Sequence, residues 1–245
     1  MSAYEFIADL SIPLKFGGQQ PNAFGVDAAG AQTLGDTRDG ASVNFEQYTF
    51  IPHCNGTHTE CVGHITNERI SVRDCLTDIV TTAFLVSAHP VKNESGDELI
   101  TKEALANAGL QPPVTAVCSD SLIVRTLPNN DSKLSQVYDG DNIPPYFTAD
   151  AMRYIVECGF KHLLVDLPSI DRIFDEGKLE NHRIFWNVEP ESRAIGPQTR
   201  LQSTVTELIY VSNEIEDGEY LLNLQIAPFE ADAAPSRPVL FRDVN

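Results

Sequence analysis

The chain reads as a mixed α/β protein with a strand-rich core, and two patterns lead to that reading. Thr148 can cap a helix in which Met152, Ile155 and Val156 share one apolar stripe and which Gly159 ends; the β-prone residues 162–166 follow at once. A helix that turns through glycine into a buried strand is the repeating step of a layered α/β protein. Further β-prone runs at 79–88, 204–212 and 220–226 give strands the majority. With 245 residues, 42% of them hydrophobic, the chain suits one large domain over 1–245.

Taken in order, a short strand near residues 6–10 opens a loop-rich entry over residues 1–42, punctuated by Pro13, Gly17, Gly18, Pro21, Gly25, Gly30 and Gly35. Phe16 and Phe24 in this entry are candidates for an aromatic wall or for simple loop anchors. Residues 43–54 read as a strand, with Pro52 marking an edge or a bulge. Residues 79–88 read as a buried strand, and His89 after it as structural. Thr101 can cap a helix that stops at Gly109, and Pro112-Pro113 forbids its continuation. Residues 114–118 and 122–126 read as short strands and 129–145 as a surface loop; Asp217-Gly218 is a turn between the last two core strands.

Lys and Arg number 17 against 35 Asp and Glu, a formal charge of −18, which repels phosphate backbones and anionic lipid surfaces. Neither a nucleic acid nor a membrane is therefore expected as a partner. No apolar run approaches the roughly 20 residues of a membrane span, and Glu5 and Asp9 break any signal-peptide pattern at the start. Five cysteines without a C-x-x-C pair fit a reducing compartment, so a soluble cytoplasmic protein is expected. Cys75, Cys118 and Cys158 read as small core residues.

Chemistry concentrates in residues 53–64, which hold His53, His58 and His64, three of the six histidines, together with Cys54, Glu60 and Cys61. In an extended backbone alternate side chains share a face, so Cys54, His58, Glu60 and His64 would point one way and His53 the other. Imidazole nitrogen, thiolate sulfur and carboxylate oxygen are donors that zinc and its first-row neighbours accept. A competing reading makes Asn55-Gly56 a hairpin turn between solvated strands.

The segment Cys54-Asn55-Gly56-Thr57-His58-Thr59-Glu60 through His64 resembles the H-x-G-T-H-x-D-x-x-x-H signature of the cyclase-like metal hydrolases, which include bacterial kynurenine formamidase and isatin hydrolase. Gly56, Thr57, His58 and His64 match it, whereas Cys54 replaces its first histidine and Glu60 its aspartate. Other islands follow in family order: Asp9-Leu10-Ser11-Ile12-Pro13-Leu14, Val165-Asp166-Leu167-Pro168-Ser169-Ile170-Asp171, His182-Arg183-Ile184-Phe185, Thr206-Glu207-Leu208, and the tail from Gly218 to Val239.

The resemblance implies a layered β/β/α fold and a metal centre whose ligands fall on Cys54, His58, Glu60, His182 and Glu207, with Glu60 between two ions. His64 corresponds to the proton donor and acceptor of the family, a task suited to imidazole, which titrates near neutrality. The implied cofactor is one or two divalent ions, zinc or alternatively manganese, and a Cys54 thiolate would favour zinc. The expected activity is hydrolysis of a non-peptide C–N bond in a small amide, formamide such as N-formylkynurenine, or cyclic amide, with metal-activated water as nucleophile. Homodimers or homotetramers are expected, and residues 183–206, longer than the family leads one to expect, read as a lid or an oligomer contact. Two rivals stand beside this: a non-catalytic binding or scaffold protein with a degraded site, and a thiol enzyme using Cys54 or Cys61.

Overall fold

The computed structural model describes residues 4–111 and 119–243. Its first third runs through β1 (Tyr4–Asp9), β2 (Asn22–Ala23), β3 (Gly30–Gly35), β4 (Phe45–Thr49), a single helical turn α1 (Pro52–Asn55), β5 (His58–Glu60) and α2 (Val72–Cys75). β6 (Val80–Ala88), β7 (Val91–Lys92), β8 (Glu98–Ile100), α3 (Lys102–Asn107) and β9 (Ser121–Thr126) follow. The remainder is β10 (Val137–Tyr138), β11 (Tyr146–Phe147), α4 (Ala149–Glu157), β12 (His162–Val165), α5 (Glu180–Trp186), β13 (Thr204–Glu207), β14 (Gly218–Ile226) and β15 (Ala233–Asp243).

The main sheet has eight strands in the order β1-β15-β14-β6-β9-β12-β13-β5. Because β5 also pairs with β15, every strand except β1 lies on a closed, barrel-like circuit. The run β6, β9, β12, β13 is parallel and the other pairings are antiparallel, so the core is mixed α/β and strand-rich as expected.

Both faces of the parallel strands are buried, which is why Leu163-Leu164-Val165 are apolar at three successive positions. Leu163 and Val165 pack with Met152, Ile155, Phe185 and Trp186 of the helical layer, while Leu164 points the other way to meet Leu85, Ile123, Leu222 and Leu240 inside the barrel. Each such side chain contributes roughly 1.5–3 kcal/mol by leaving water. The expected caps form: the hydroxyls of Thr101 and Thr148 accept the N–H groups of Ala104 and Ala151. Gly109 and Gly159 then take the left-handed φ of 97° and 89° that stops each helix.

Several expectations need correction. The strand expected over 43–54 ends at Thr49, and β4 pairs only with β3, as an exposed ribbon outside the main sheet. Pro52 is neither an edge nor a bulge residue; it opens α1, where its fixed φ suits the first helical turn. The strand expected over 204–212 ends at Glu207 because Leu208 turns to φ 55°, sending its N–H to Leu167 O. The surface loop 129–145 holds a 3-10 turn at Asp131–Ser135 and the short β10. Pro112-Pro113, the strand expected over 114–118 and Cys118 lie outside the described residues. No helix among the described residues is long and apolar enough to cross a membrane.

Candidate metal centre

The extended run expected through residues 54–64 is broken into α1, β5 and a 3-10 turn at Val62–His64. Asn55 pins the first break, its side chain accepting Ile51 N–H at 2.7 Å and donating to Asp27 O at 3.2 Å. Gly56 then passes so close to the entry loop that a Cβ there would meet Leu14 Cδ2 at 3.1 Å. The consequence is a correction: His53 does not face away. A helical turn instead of two-fold alternation brings its ring onto that of His64, with centroids 4.4 Å apart, and its Nε2 to 3.4 Å from Glu60 Oε2.

On β5, His58 and Glu60 lie two residues apart and share a face. The antiparallel register with β13 sets Glu207 opposite His58, leaving Glu207 Oε2 3.5 Å from His58 Nε2. α5 delivers His182, whose Nε2 lies 2.9 Å from Glu60 Oε1 and 3.7 Å from Glu207 Oε1. His58, Glu60, His182 and Glu207, far apart in sequence, thus converge in the barrel wall, and all four are buried.

Both imidazoles are held from behind. His58 Nδ1 donates to Gly56 O at 3.0 Å, and His182 Nδ1 pairs with Asp171 Oδ2 at 2.6 Å, so each Nε2 is directed at the carboxylates. Asp171 also accepts the backbone N–H groups of Asn181 and His182 at the start of α5, which fixes the helix and the ring together. Burial opposes charge on His182, but the Glu60 carboxylate and the hydrogen bonds to Asp171 and Glu60 outweigh it and hold its pKa well above the ordinary value. Burial likewise opposes charge on His58, and Glu207 and Glu60 overcome it. For Glu60 the burial penalty is overcome by His64, His182 and His53, which hold its carboxyl well below the usual range.

A rim lies on the other side of Glu60. Asp232, in the turn before β15, approaches His53 Nε2 to 3.1 Å and His64 Nδ1 to 3.4 Å. His64 Nδ1 is 3.9 Å from Glu60 Oε2. Hydrogen bonding to His53 and His64 holds the Asp232 carboxyl far below its ordinary pKa.

Cys54 stands apart. It is buried in α1, and burial with the nearby Glu207 charge pushes its thiol up to about 11. Among the described residues the tightest metal-competent groupings are His58, Glu60, Glu207 and His53, Glu60, His64; Cys54 and His182 lie outside both, and His182 reaches the first through Glu60 Oε1 at 2.9 Å. Cys61 gives its S–H to Ile70 O at 3.5 Å, and contact with Cys75 and burial push its pKa upward. Thiolate, not thiol, is the nucleophile, so both cysteines are poorly prepared for a thiol mechanism. The Thr57 hydroxyl accepts Ile12 N–H at 2.7 Å and donates to Leu208 O, tying the entry loop to the end of β13. Residues 187–203 are anchored to the body by Trp186 Nε1 donating to Ser203 O at 2.9 Å and by Asn67 N–H donating to Arg193 O at 2.7 Å.

His53, expected on the opposite face, belongs to the site, and so do Asp171 and Asp232, which the sequence does not mark as site residues. Asp171 sits in the island at 165–171, which was its one available signal. The donor set fits a divalent ion: His58 Nε2 and Glu60 Oε2 are buried without a hydrogen-bond partner, and nitrogen and carboxylate oxygen are ligands zinc and manganese accept.

A family model described as "Putative cyclase" matches residues 8–172. A kynurenine formamidase of Bacillus cereus is 27% identical over 203 residues, covering 82% of each chain. One from Bacillus anthracis is 25% identical over 210 residues, covering 85% of each. Among solved structures, a predicted metal-dependent hydrolase from Bacillus stearothermophilus superposes with a TM-score of 0.66 at 16% identity, covering 98% of this chain and 99% of that one. Isatin hydrolase A from Labrenzia aggregata gives 0.66 at 14% identity, covering 98% and 94%. The family match ends before His182 and Glu207, and the fold carries both back to the histidine segment. By that match over most of its length, and by the fold it shares with these structures, the chain belongs to the cyclase family.

Proposed function

We propose that the chain is a metal-dependent hydrolase of a non-peptide C–N bond in a small amide, formamide or cyclic amide. The observation that carries this is the convergence of His58, Glu60, His182 and Glu207, with His58 Nε2 and Glu60 Oε2 buried and unpartnered. The names of the relatives, kynurenine formamidase and isatin hydrolase, support the substrate class.

His58, Glu60, His182 and Glu207 would hold the ion. When bound, it supplies Lewis acidity, polarising a carbonyl and lowering the pKa of water toward neutrality. His64, about a quarter exposed at the rim, takes a proton from the attacking water and returns it to the leaving nitrogen. Asp232 holds the His64 ring from the side by its 3.4 Å contact with Nδ1. An aromatic row supports a planar substrate: Phe16 packs on Tyr48 and Phe50, and Phe50 on Phe229, with ring centroids 4.3 to 6.2 Å apart. Phe50 and Phe229 each precede a rim residue, His53 or Asp232, by three positions. A homodimer or homotetramer is part of the reading. It is supported by the β3–β4 ribbon, which exposes Leu34, Phe45 and Tyr48 and would be marginal as an isolated hairpin.

Metal analysis of purified protein, followed by assays on N-formylkynurenine and on an isatin-type lactam with zinc or manganese added, tests the proposal. Bound or bindable metal with hydrolysis of one of them is the expected result. Protein that takes up no metal and hydrolyses neither leaves the non-catalytic scaffold reading in its place.

A further inference from the structure

We infer that the rim of the centre is a second cation seat, made by His53 Nε2, Glu60 Oε2, His64 Nδ1 and Asp232 Oδ2, which takes a divalent ion of the zinc class and exchanges it more readily than the inner seat. This rests on the metal-dependent reading and adds to it two residues, His53 and Asp232, that stand outside the family signature.

The distances point to an ion. A tetrahedral ion with bonds of about 2.0–2.2 Å holds its ligand atoms about 3.3–3.6 Å apart. His53 Nε2 lies 3.4 Å from Glu60 Oε2 and 3.1 Å from Asp232 Oδ2, and His64 Nδ1 lies 3.4 Å from Asp232 Oδ2 and 3.9 Å from Glu60 Oε2. These four separations lie close to the edges of such a polyhedron, and the donor atoms of His53, Glu60 and His64 all lie within 4.8 Å of one another, with Asp232 reaching the two imidazoles from the open side. Glu60, only 1% exposed, aims Oε2 into this space, and that oxygen is buried with no hydrogen-bond partner. Two carboxylates facing two imidazoles match the charge of a divalent cation.

The backbone is shaped to bring these groups in. The turn of α1 swings His53 inward, in the place where the signature histidine has become Cys54. Cys61 N–H bonds Asp232 O at 3.0 Å, clamping the turn before β15 against the 3-10 turn that carries His64. Gly63 makes the approach possible, since a Cβ there would meet Ile70 O at 2.4 Å and Asp232 Cβ at 3.3 Å.

Exposure separates the two seats. The side chains of His53, His64 and Asp232 are 24%, 28% and 32% exposed, against 0% for His58 and 2% for His182. Water and chelators therefore reach the rim first. An ion at the rim occupies His64 Nδ1, so proton transfer through that nitrogen belongs to protein carrying only the inner ion.

The test is zinc binding by equilibrium dialysis with elemental analysis, on the wild type, His53→Ala and Asp232→Asn, with circular dichroism to verify folding. The wild type should bind two ions per chain, the weaker one removed by a mild chelator. Asp232→Asn, which preserves shape, should weaken that second ion at least tenfold and His53→Ala should abolish it, while both keep the tight ion. A wild type that binds one ion only, or two ions whose affinities neither substitution changes, would overturn the second seat and leave the inner one standing. A wild type that binds none removes the metal-dependent reading, and this inference falls with it.

Discussion

The carboxylate of Glu60 faces two neighbourhoods that differ in how they were built. On its Oε1 side stand His182, with Glu207 and His58 beyond, all buried and each imidazole fixed from behind by Asp171 or by Gly56 O. On its Oε2 side stand His53, His64 and Asp232, all partly exposed and held mainly by one another. The inner half hangs on strand register and a helix start; the rim hangs on three short turns. Rigid support behind a ligand makes for a tight, slowly exchanging ion, and turn-borne ligands for a looser one.

Glu60→Gln should give the largest effect, because the residue serves both halves. Loss of its charge should leave neither ion bound at micromolar zinc and should reduce hydrolysis to background. Elemental analysis after dialysis reads this directly. Retention of both ions would mean that the two halves do not share Glu60 and would break the comparison.

How much of this arrangement was legible follows the same division. His58 and Glu60 were readable because a strand places alternate residues on one face, and α4 with β12 was readable from its cap, its stripe and Gly159. Glu207 reaches His58 only through the β5–β13 register, and His182 only through the start of α5 at Asp171; resemblance pointed to both, but local pattern did not. His53 was misread because a four-residue helical turn at Pro52 leaves no periodicity long enough to see. Asp232 is one acid among 35 Asp and Glu, and it precedes a strand hidden by Pro235 and Pro238.

Asp171→Asn should act on the inner half alone. Asp171 touches no ion; it holds His182 Nδ1 at 2.6 Å and caps α5, so its loss should cost about 10–100-fold in affinity for the tight ion. A zinc titration should show the weaker ion unchanged. Equal weakening of both ions would show that the two halves are mechanically one.

The pH dependence sharpens the contrast further. In the metal-free protein the folded-state pKa values of His182 and His58 are raised above the ordinary histidine value. Their protonation therefore stabilises the fold fully below about pH 6.5, and that stability is lost as pH rises through the raised values. An ion must displace those protons, so its stabilising effect runs the other way, by up to about tenfold in affinity per pH unit for each proton released. The rise in Tm on adding zinc should thus be larger at pH 8 than at pH 6. An equal rise at both would mean that His58 and His182 are already neutral in the metal-free site.

Gly63→Ala should give the smallest effect on metal and confine it to the rim. The new methyl group cannot stay 2.4 Å from Ile70 O, so the 3-10 turn at Val62–His64 must shift, and Asp232 is the next atom group in its way. Overpacking of this kind costs about 1–3 kcal/mol, which for a chain of this size lowers Tm by roughly 2–12 °C. His58, Glu207 and His182 are carried by β5, β13 and α5, and none of these elements contains the displaced turn. The tight ion should therefore keep its affinity while the weaker one loses a few-fold, because the turn moves His64 relative to Asp232. If the tight ion weakened as much as the loose one, the inner half would not be the rigid body that its strand register and Asp171 make it.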